Sequence, residues 1–144
     1  MTLEAIKAAI PHREPFLLID EIVEQQSDRI VCRKTFTGDE FWYRGHYPGY
    51  PITPGVLLCE AAMQAGAVLL SQFLEDKPGT IPVATRANNV QFKRMVLPGE
   101  TILLEVELVE QLSTAFFLKG RVTVAGKVAV RLDFACTLTE GEVR

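Results

Sequence analysis

Gly45-His46-Tyr47-Pro48-Gly49-Tyr50-Pro51-Ile52-Thr53-Pro54-Gly55-Val56-Leu57-Leu58-Cys59-Glu60-Ala61-Ala62-Met63-Gln64-Ala65-Gly66 decides how the rest of the chain must fold. Its first half is a loop punctuated by proline and glycine. Its second half predicts a helix, with Thr53 as N-cap and Pro54 in the first turn, where its missing N–H costs nothing. From 56 to 74 nearly every residue is apolar or small, on all sides. A helix apolar all round is either wrapped by protein or spans a membrane. Only Glu60 and Gln64 interrupt the early part of this run, and their spacing of four puts them on one face. A carboxylate in so apolar a helix is costly unless something uses it.

The stretch is about long enough to cross a bilayer. Glu60 argues against that, because ionisable groups are rare and costly inside a membrane. The second half of the chain argues more strongly. It reads as amphipathic strands whose apolar faces need a covering partner, so the helix is expected in the core of the protein and not in a membrane.

A chain of 144 residues suits one domain with a full core, spanning 1–144. Its net charge of −3 does not suggest a nucleic-acid binder. Residues 1–10 lack a basic segment followed by a long apolar one, so no secretory signal is expected. Cys32, Cys59 and Cys136 are odd in number and form no CxxC pair. That fits a reducing cytoplasm and argues against a disulfide framework or a zinc site.

In chain order, residues 2–10 predict a short helix with Leu3, Ile6 and Ile10 on one side. Pro11-His12-Arg13-Glu14-Pro15 ends it. Strands are expected at 16–24 and 29–37, paired antiparallel. The loop 38–53 carries Phe41, Trp42, Tyr43, Tyr47 and Tyr50, and long aromatic loops in compact domains are more often functional than idle. The core helix is expected to run to about Leu74 and to stop at Glu75-Asp76-Lys77-Pro78-Gly79. Further strands are expected at 81–85, 89–96, 101–111, 115–124 and 127–139. Turns fall at Leu97-Pro98-Gly99-Glu100 and Ala125-Gly126, and the tail 140–144 is expected to be loose. The connections between the later strands are too short for crossover helices, so the sheet is antiparallel. The expected fold is therefore α+β: one long apolar helix wrapped by one curved antiparallel sheet.

These residues also carry a resemblance. The sequence resembles the 3-hydroxyacyl-acyl-carrier-protein dehydratases of the hotdog-fold superfamily, the single-domain bacterial type. The likeness begins at Ile10-Pro11-His12-Arg13-Glu14-Pro15-Phe16-Leu17-Leu18-Ile19-Asp20. It is most specific from Gly45-His46-Tyr47-Pro48-Gly49 through Pro54-Gly55-Val56-Leu57, Glu60-Ala61 and Gln64-Ala65. It returns at Phe92-Lys93-Arg94 and Pro98-Gly99-Glu100. Departures are Tyr47 where phenylalanine is usual, Thr53 where methionine is common, Met95 where proline is common, and the run Ala84-Thr85-Arg86-Ala87-Asn88-Asn89. The resemblance implies conversion of (3R)-hydroxyacyl-acyl-carrier protein to the trans-2-enoyl thioester in fatty acid biosynthesis; the His46/Glu60 pair and the absence of metal-ligand spacing predict no metal or organic cofactor. It also implies a homodimer whose sheets join, often three dimers per hexamer. Its active site would lie at the dimer interface, with the histidine from one subunit and the helix carboxylate from the other.

Dehydration of such a thioester needs a base for the C2 proton and an acid for the C3 hydroxyl. His46 suits the base, because neutral imidazole is available near pH 7. Glu60 suits the acid provided that burial keeps it protonated. The Gly55 N–H lies in the first helical turn, where amides lack intrahelical partners, and is suited to the developing enolate oxygen. Gln64 either packs and bonds to the backbone or helps to place Glu60 or a water. The plainer readings are that His46 only bonds its own loop and that Glu60 is a structural carboxylate; the motif favours catalysis for both. His12, in its proline-bounded loop, is expected to be structural. Cys59 is expected to be a small buried hydrophobe and not a nucleophile.

From Lys77 to Gly99 there are four basic residues, Lys77, Arg86, Lys93 and Arg94, and no acidic one. The run is either a solvated surface or a docking patch for acidic acyl-carrier protein, with Arg86, Lys93 and Arg94 as candidates and Arg13 as a possible addition. Lys93 and Arg94 are expected in a strand, so that at most one faces a given side. Competing functions are a hotdog-fold acyl thioesterase, a non-catalytic acyl-binding subunit and an isomerase. The presence of both His46 and Glu60 favours dehydration.

Overall fold

The fold follows from how six strands cover one long apolar helix. The computed structural model describes residues 2–140. Helix α1 (Leu3–Ala9) is followed by strands β1 (Glu21–Gln25) and β2 (Arg29–Thr35), helix α2 (Gly55–Leu70), and strands β3 (Thr80–Phe92), β4 (Thr101–Leu112), β5 (Ala115–Val124) and β6 (Lys127–Glu140). Short 3-10 turns at Phe41–Arg44 and Ser71–Phe73 interrupt the loop before α2 and extend its end. The strands form one antiparallel sheet in the order β1-β2-β4-β5-β6-β3. Bulges between Ile22 and Glu24, Leu108 and Glu110, and Val122 and Thr123 add local twist and curl the sheet around α2.

The inward rows are those the alternation predicts. Ile102, Leu104 and Val106 of β4, Phe116, Leu118 and Val122 of β5, and Val130, Leu132, Phe134 and Cys136 of β6 are buried. They meet a helix face made of small residues. A Cβ on Gly66 would come within 2.7 Å of the Phe134 ring, and one on Gly120 within 3.4 Å of Ala62 Cβ. Small side chains on α2 thus let the sheet approach closely, which is how an all-round apolar helix finds cover without a second layer of helices. By length and composition alone, Gly55–Phe73 could cross a membrane. Most of α2 is instead buried in the protein core, as expected.

Several boundaries differ from the sequence expectation. The strand expected at 16–24 starts only at Glu21; Leu17, Leu18 and Ile19 are buried, but Leu18 N–H donates to the Gln64 side chain, not to a strand. The strands expected at 81–85 and 89–96 are one strand, β3, bent by irregularities between Ala84 and Arg86 and between Asn88 and Gln91. Thr53 does not cap α2. Pro54 holds the cap position with no side-chain bond, and the Thr53 hydroxyl pairs with Tyr43 Oη at 2.6 Å. The Ala125-Gly126 turn does form, with φ of 50° and 77° as a tight hairpin demands. Of the tail expected to be loose, Glu140 ends β6 and 141–144 lie outside the described residues.

Strand β3 lies at the end of the sheet and is exposed over most of its length. Val83, Val90 and Phe92 are among its exposed apolar residues. An edge this long and this apolar is unusual in a chain that works alone.

Candidate active site

The loop that carries His46 is anchored at several points. Glu40 accepts hydrogen bonds from Thr37 N (3.0 Å), Gly38 N (2.8 Å) and Thr37 Oγ1 (3.2 Å). Partial burial pushes the Glu40 carboxyl upward, but these backbone donors outweigh it and leave it below the usual carboxylate range. Trp42 sits edge-on to Phe36 and Phe41, with ring centroids 6.1 and 5.2 Å away. Tyr43 is buried, and its phenol is pushed up by that burial. Of the loop aromatics, Trp42 and Tyr43 therefore belong to the core, while Phe41, Tyr47 and Tyr50 are exposed.

His46 itself is half-buried, and its ring stacks on Tyr47 at 4.5 Å. Nδ1 lies 3.0 Å from the Ile52 carbonyl oxygen. A carbonyl can only accept, so Nδ1 carries the proton and donates. In the neutral ring this leaves Nε2 with a free lone pair. His46 opens into a hollow of about 790 Å³ together with Pro54, Gly55, Phe92, Lys93 and Arg94. The uncapped start of α2 faces the same space, so first-turn amides that lack intrahelical partners are close at hand. A Cβ on Gly55 would come within 2.6 Å of the Phe92 ring, so glycine is what lets that ring lie across the helix end.

Glu60 lies elsewhere. It opens, with Pro11, His12, Met63, Gln64 and Cys136 among its neighbours, into a separate hollow of about 290 Å³ between α2 and β3. Gln64 is 1% exposed and saturated with bonds. Its Oε1 accepts from Leu18 N at 2.8 Å, and its Nε2 donates to Phe16 O at 2.8 Å and to Glu60 Oε2 at 3.0 Å. Both roles considered for Gln64 in the sequence are thus filled at once: it bonds to the backbone and it holds Glu60.

His12, expected to be structural, comes close to Glu60. Its Nε2 stands 3.7 Å from Glu60 Oε2. The only signal available was its place in a proline-bounded loop, and nothing in that loop points to a helix residue 48 positions on. Cys59 is buried, and burial pushes its thiol up, which agrees with the hydrophobic reading. Among the described residues no group of three or more His, Cys, Asp or Glu side chains could hold a metal ion.

The basic candidates separate. Strand β3 ends at Phe92, so Lys93 and Arg94 are not strand neighbours, and the expectation that only one could face a given side is corrected. Both amides bond to the Ala129 carbonyl, and both residues line the His46 hollow. Arg86 lines a different hollow with Asn88, Val109 and Phe117. Arg13 does not join them either, because its guanidinium donates to the carbonyls of Lys7, Ile10 and His12.

In chemical terms, one hollow holds a proton acceptor and helix-end donors, and the other holds a carboxyl group. The family described as "FabA-like domain" matches residues 10–133. A 3-hydroxyacyl-[acyl-carrier-protein] dehydratase of Clostridium perfringens strain SM101 is 43% identical over 129 residues, covering 90% of this chain and 92% of that protein. The protein of the same description from Caulobacter vibrioides strain NA1000 is 42% identical over 137 residues, covering 94% and 86%. Among solved structures, the ApeI:P dehydratase heterocomplex of Xenorhabdus doucetiae has a chain that superimposes with a TM-score of 0.77. It is 15% identical and the match covers 94% of this chain and 91% of that one, a likeness of fold.

Proposed function

The chain belongs to the FabA-like domain family, and from that premise we propose that it converts (3R)-hydroxyacyl-acyl-carrier protein to the trans-2-enoyl thioester and water, as a hydro-lyase of fatty acid biosynthesis. The relatives' shared activity and their coverage of nearly the whole chain support this reading.

His46 Nε2 takes the C2 proton. Electron density moves onto the thioester oxygen, where the first-turn N–H of Gly55 and the helix dipole stabilise it. As the C2–C3 double bond forms, the C3–O bond breaks and Glu60 gives the departing hydroxyl its proton, so that water leaves. His46 ends protonated and Glu60 ionised; proton transfer between them through solvent resets the site. No external electron acceptor or donor takes part.

The observation that carries the reading is the division of labour along α2. His46 with its free Nε2 and the uncapped helix end share one hollow, and Glu60 lies in another. One chain thus presents each half of the acid–base pair apart from the other. We place the working site between two chains, His46 from one and Glu60 from its partner, in a homodimer joined along β3. The long exposed edge of β3 supports that junction. Lys93 and Arg94 at the mouth of the His46 hollow suit an acidic carrier protein delivering its acyl group there. The free, buried cysteines fit a reducing compartment, and we assign the reaction to the cytoplasm.

The test is an assay with 3-hydroxyacyl thioesters of several lengths, following enoyl product and free thiol together. Enoyl product without thiol is expected. Thiol without enoyl product would make the protein a thioesterase instead.

A further inference from the structure

Glu60 has two carboxyl oxygens, and the surrounding residues treat them differently. We propose that His12 is a positioning residue which, together with Gln64, occupies Oε2 of Glu60 and so directs the acid proton to Oε1. This rests on the reading of Glu60 as the acid.

The argument begins with the Gln64 amide, whose orientation is fixed. Leu18 N–H can only donate, so the atom 2.8 Å from it is Oε1, and Nε2 is the group that faces Glu60. Gln64 therefore donates to Glu60 Oε2 and cannot accept a proton from it. His12 approaches the same oxygen with Nε2, at 3.7 Å. That is longer than a hydrogen bond, but contacts of this kind in unliganded sites commonly tighten when substrate arrives.

The other nitrogen of His12 identifies which form faces Glu60. Nδ1 is buried with no hydrogen-bond partner among the described residues. A buried N–H without an acceptor is rarer than a buried lone pair without a donor. The ring proton is thus assigned to Nε2, the nitrogen that approaches Glu60 Oε2. A carboxyl oxygen offers two lone-pair directions in its plane. Gln64 takes one, and His12 is left to take the other as the contact tightens. Oε1 has no partner among the described residues, so it is left to carry the proton and meet the substrate.

A purely structural histidine fits these observations less well. Among the described residues its side chain makes no hydrogen bond to its own loop, and the Glu60 contact is its one polar approach. A phenylalanine would fill the same space without leaving a nitrogen unpartnered.

The experiment uses the intact protein and three substitutions: His12→Phe, His12→Gln and, as control, Glu60→Gln. His12→Phe is expected to lower kcat about tenfold with KM within about twofold and Tm unchanged, and His12→Gln, which keeps an N–H donor, to recover most of the loss. Nitrogen NMR of the chain's two histidines supplies a readout that does not depend on turnover. The His12 ring is expected as the Nε2–H tautomer, with shifts that respond to Glu60→Gln and not to His46→Ala. An Nδ1–H tautomer overturns the proposal. So does a loss of kcat and Tm together that His12→Gln does not relieve, or wild-type turnover in a folded His12→Phe protein. If His12→Phe does not fold, the NMR result on the unsubstituted and Glu60→Gln proteins decides. Full turnover by Glu60→Gln would instead remove Glu60 from the reaction, a failure of the broader reading that the tautomer result would leave untouched.

Discussion

At its N-terminal end α2 opens into a hollow with a histidine, free helix-end amides and two cations on the rim; further along it opens into a smaller one with a carboxyl group held by a buried amide. The first is built from a loop and a helix terminus, and its working groups are backbone N–H and an imidazole fixed by a carbonyl. The second is built from a helix face, and its working group is fixed by side chains. The difference teaches why neither suffices. A helix end stabilises negative charge and so suits a developing enolate oxygen, but it supplies no acid for the C3 hydroxyl. A helix interior, away from that end, can hold a carboxyl group among apolar neighbours. Within one chain each hollow is therefore incomplete, and the proposed pairing of two chains brings the two halves to one substrate.

The comparison breaks hardest at the two reacting groups. His46→Ala and Glu60→Gln should each lower kcat by about 10²–10⁴-fold with the fold retained, because each removes a proton-transfer group. Glu60→Gln is the sharper variant, since it keeps shape but has no acidic proton. Mixing the two inactive proteins and allowing subunit exchange should restore about one quarter of wild-type activity, since half the dimers are mixed and each has one intact site. No recovery in verified mixed dimers would put both groups to work within one chain.

The next effect separates holding Glu60 from being Glu60. Gln64→Leu removes the partners of Leu18 N–H and Phe16 C=O as well as that of Glu60. It should cost about 2–4 kcal/mol in urea unfolding, from buried groups left unsatisfied. Stability equal to wild type would mean that the 16–18 segment finds other partners.

Gly55→Ala sharpens the comparison at the other hollow. The added Cβ forces the Phe92 ring away from the helix end. A fall of about tenfold in kcat/KM, equivalent to about 1.4 kcal/mol, is expected with little change in Tm. An unchanged kcat/KM would show that the helix end tolerates a side chain there and does not closely approach the thioester.

The smallest effect concerns the rim. Lys93→Glu and Arg94→Glu should raise KM for carrier-protein substrates a few-fold, on the order of 3–10, and spare small thioester mimics, because surface charges act mainly on encounter. An equal effect on both substrates would assign the residues to the fold or the acyl path.

Much of this architecture was legible because its signals are local. Pro54-Gly55 followed by a run apolar but for Glu60 and Gln64 marks the helix, and the alternation in β4, β5 and β6 marks the covering strands. What was misread depends on distant partners. Residues 86–88 were expected to separate two strands, but β6 continues alongside them and β3 absorbs the irregularity, with Asn89 at a φ of 53°. Leu17, Leu18 and Ile19 looked like a strand because they are apolar, but the hydrogen bonds of Leu18 and Phe16 go to Gln64. Thr53 had the chemistry of a cap and was taken by Tyr43. His12 and Glu60 meet only because the segment after α1 folds back over α2, a juxtaposition that no window of sequence contains.

The proposed sharing of each site between two chains, His46 from one and Glu60 from the other, has a consequence for inheritance. Two gene copies, each with a lesion in a different hollow, would compensate for one another in mixed dimers. A single copy carrying both lesions would do the opposite. Joined to an unaltered chain, its product offers neither the histidine for one site nor the carboxyl for the other, so both sites of the mixed dimer are dead. Equal expression would leave only about a quarter of the dimers working. The doubly altered allele would therefore act dominantly, although each alteration alone is masked by a complementary one.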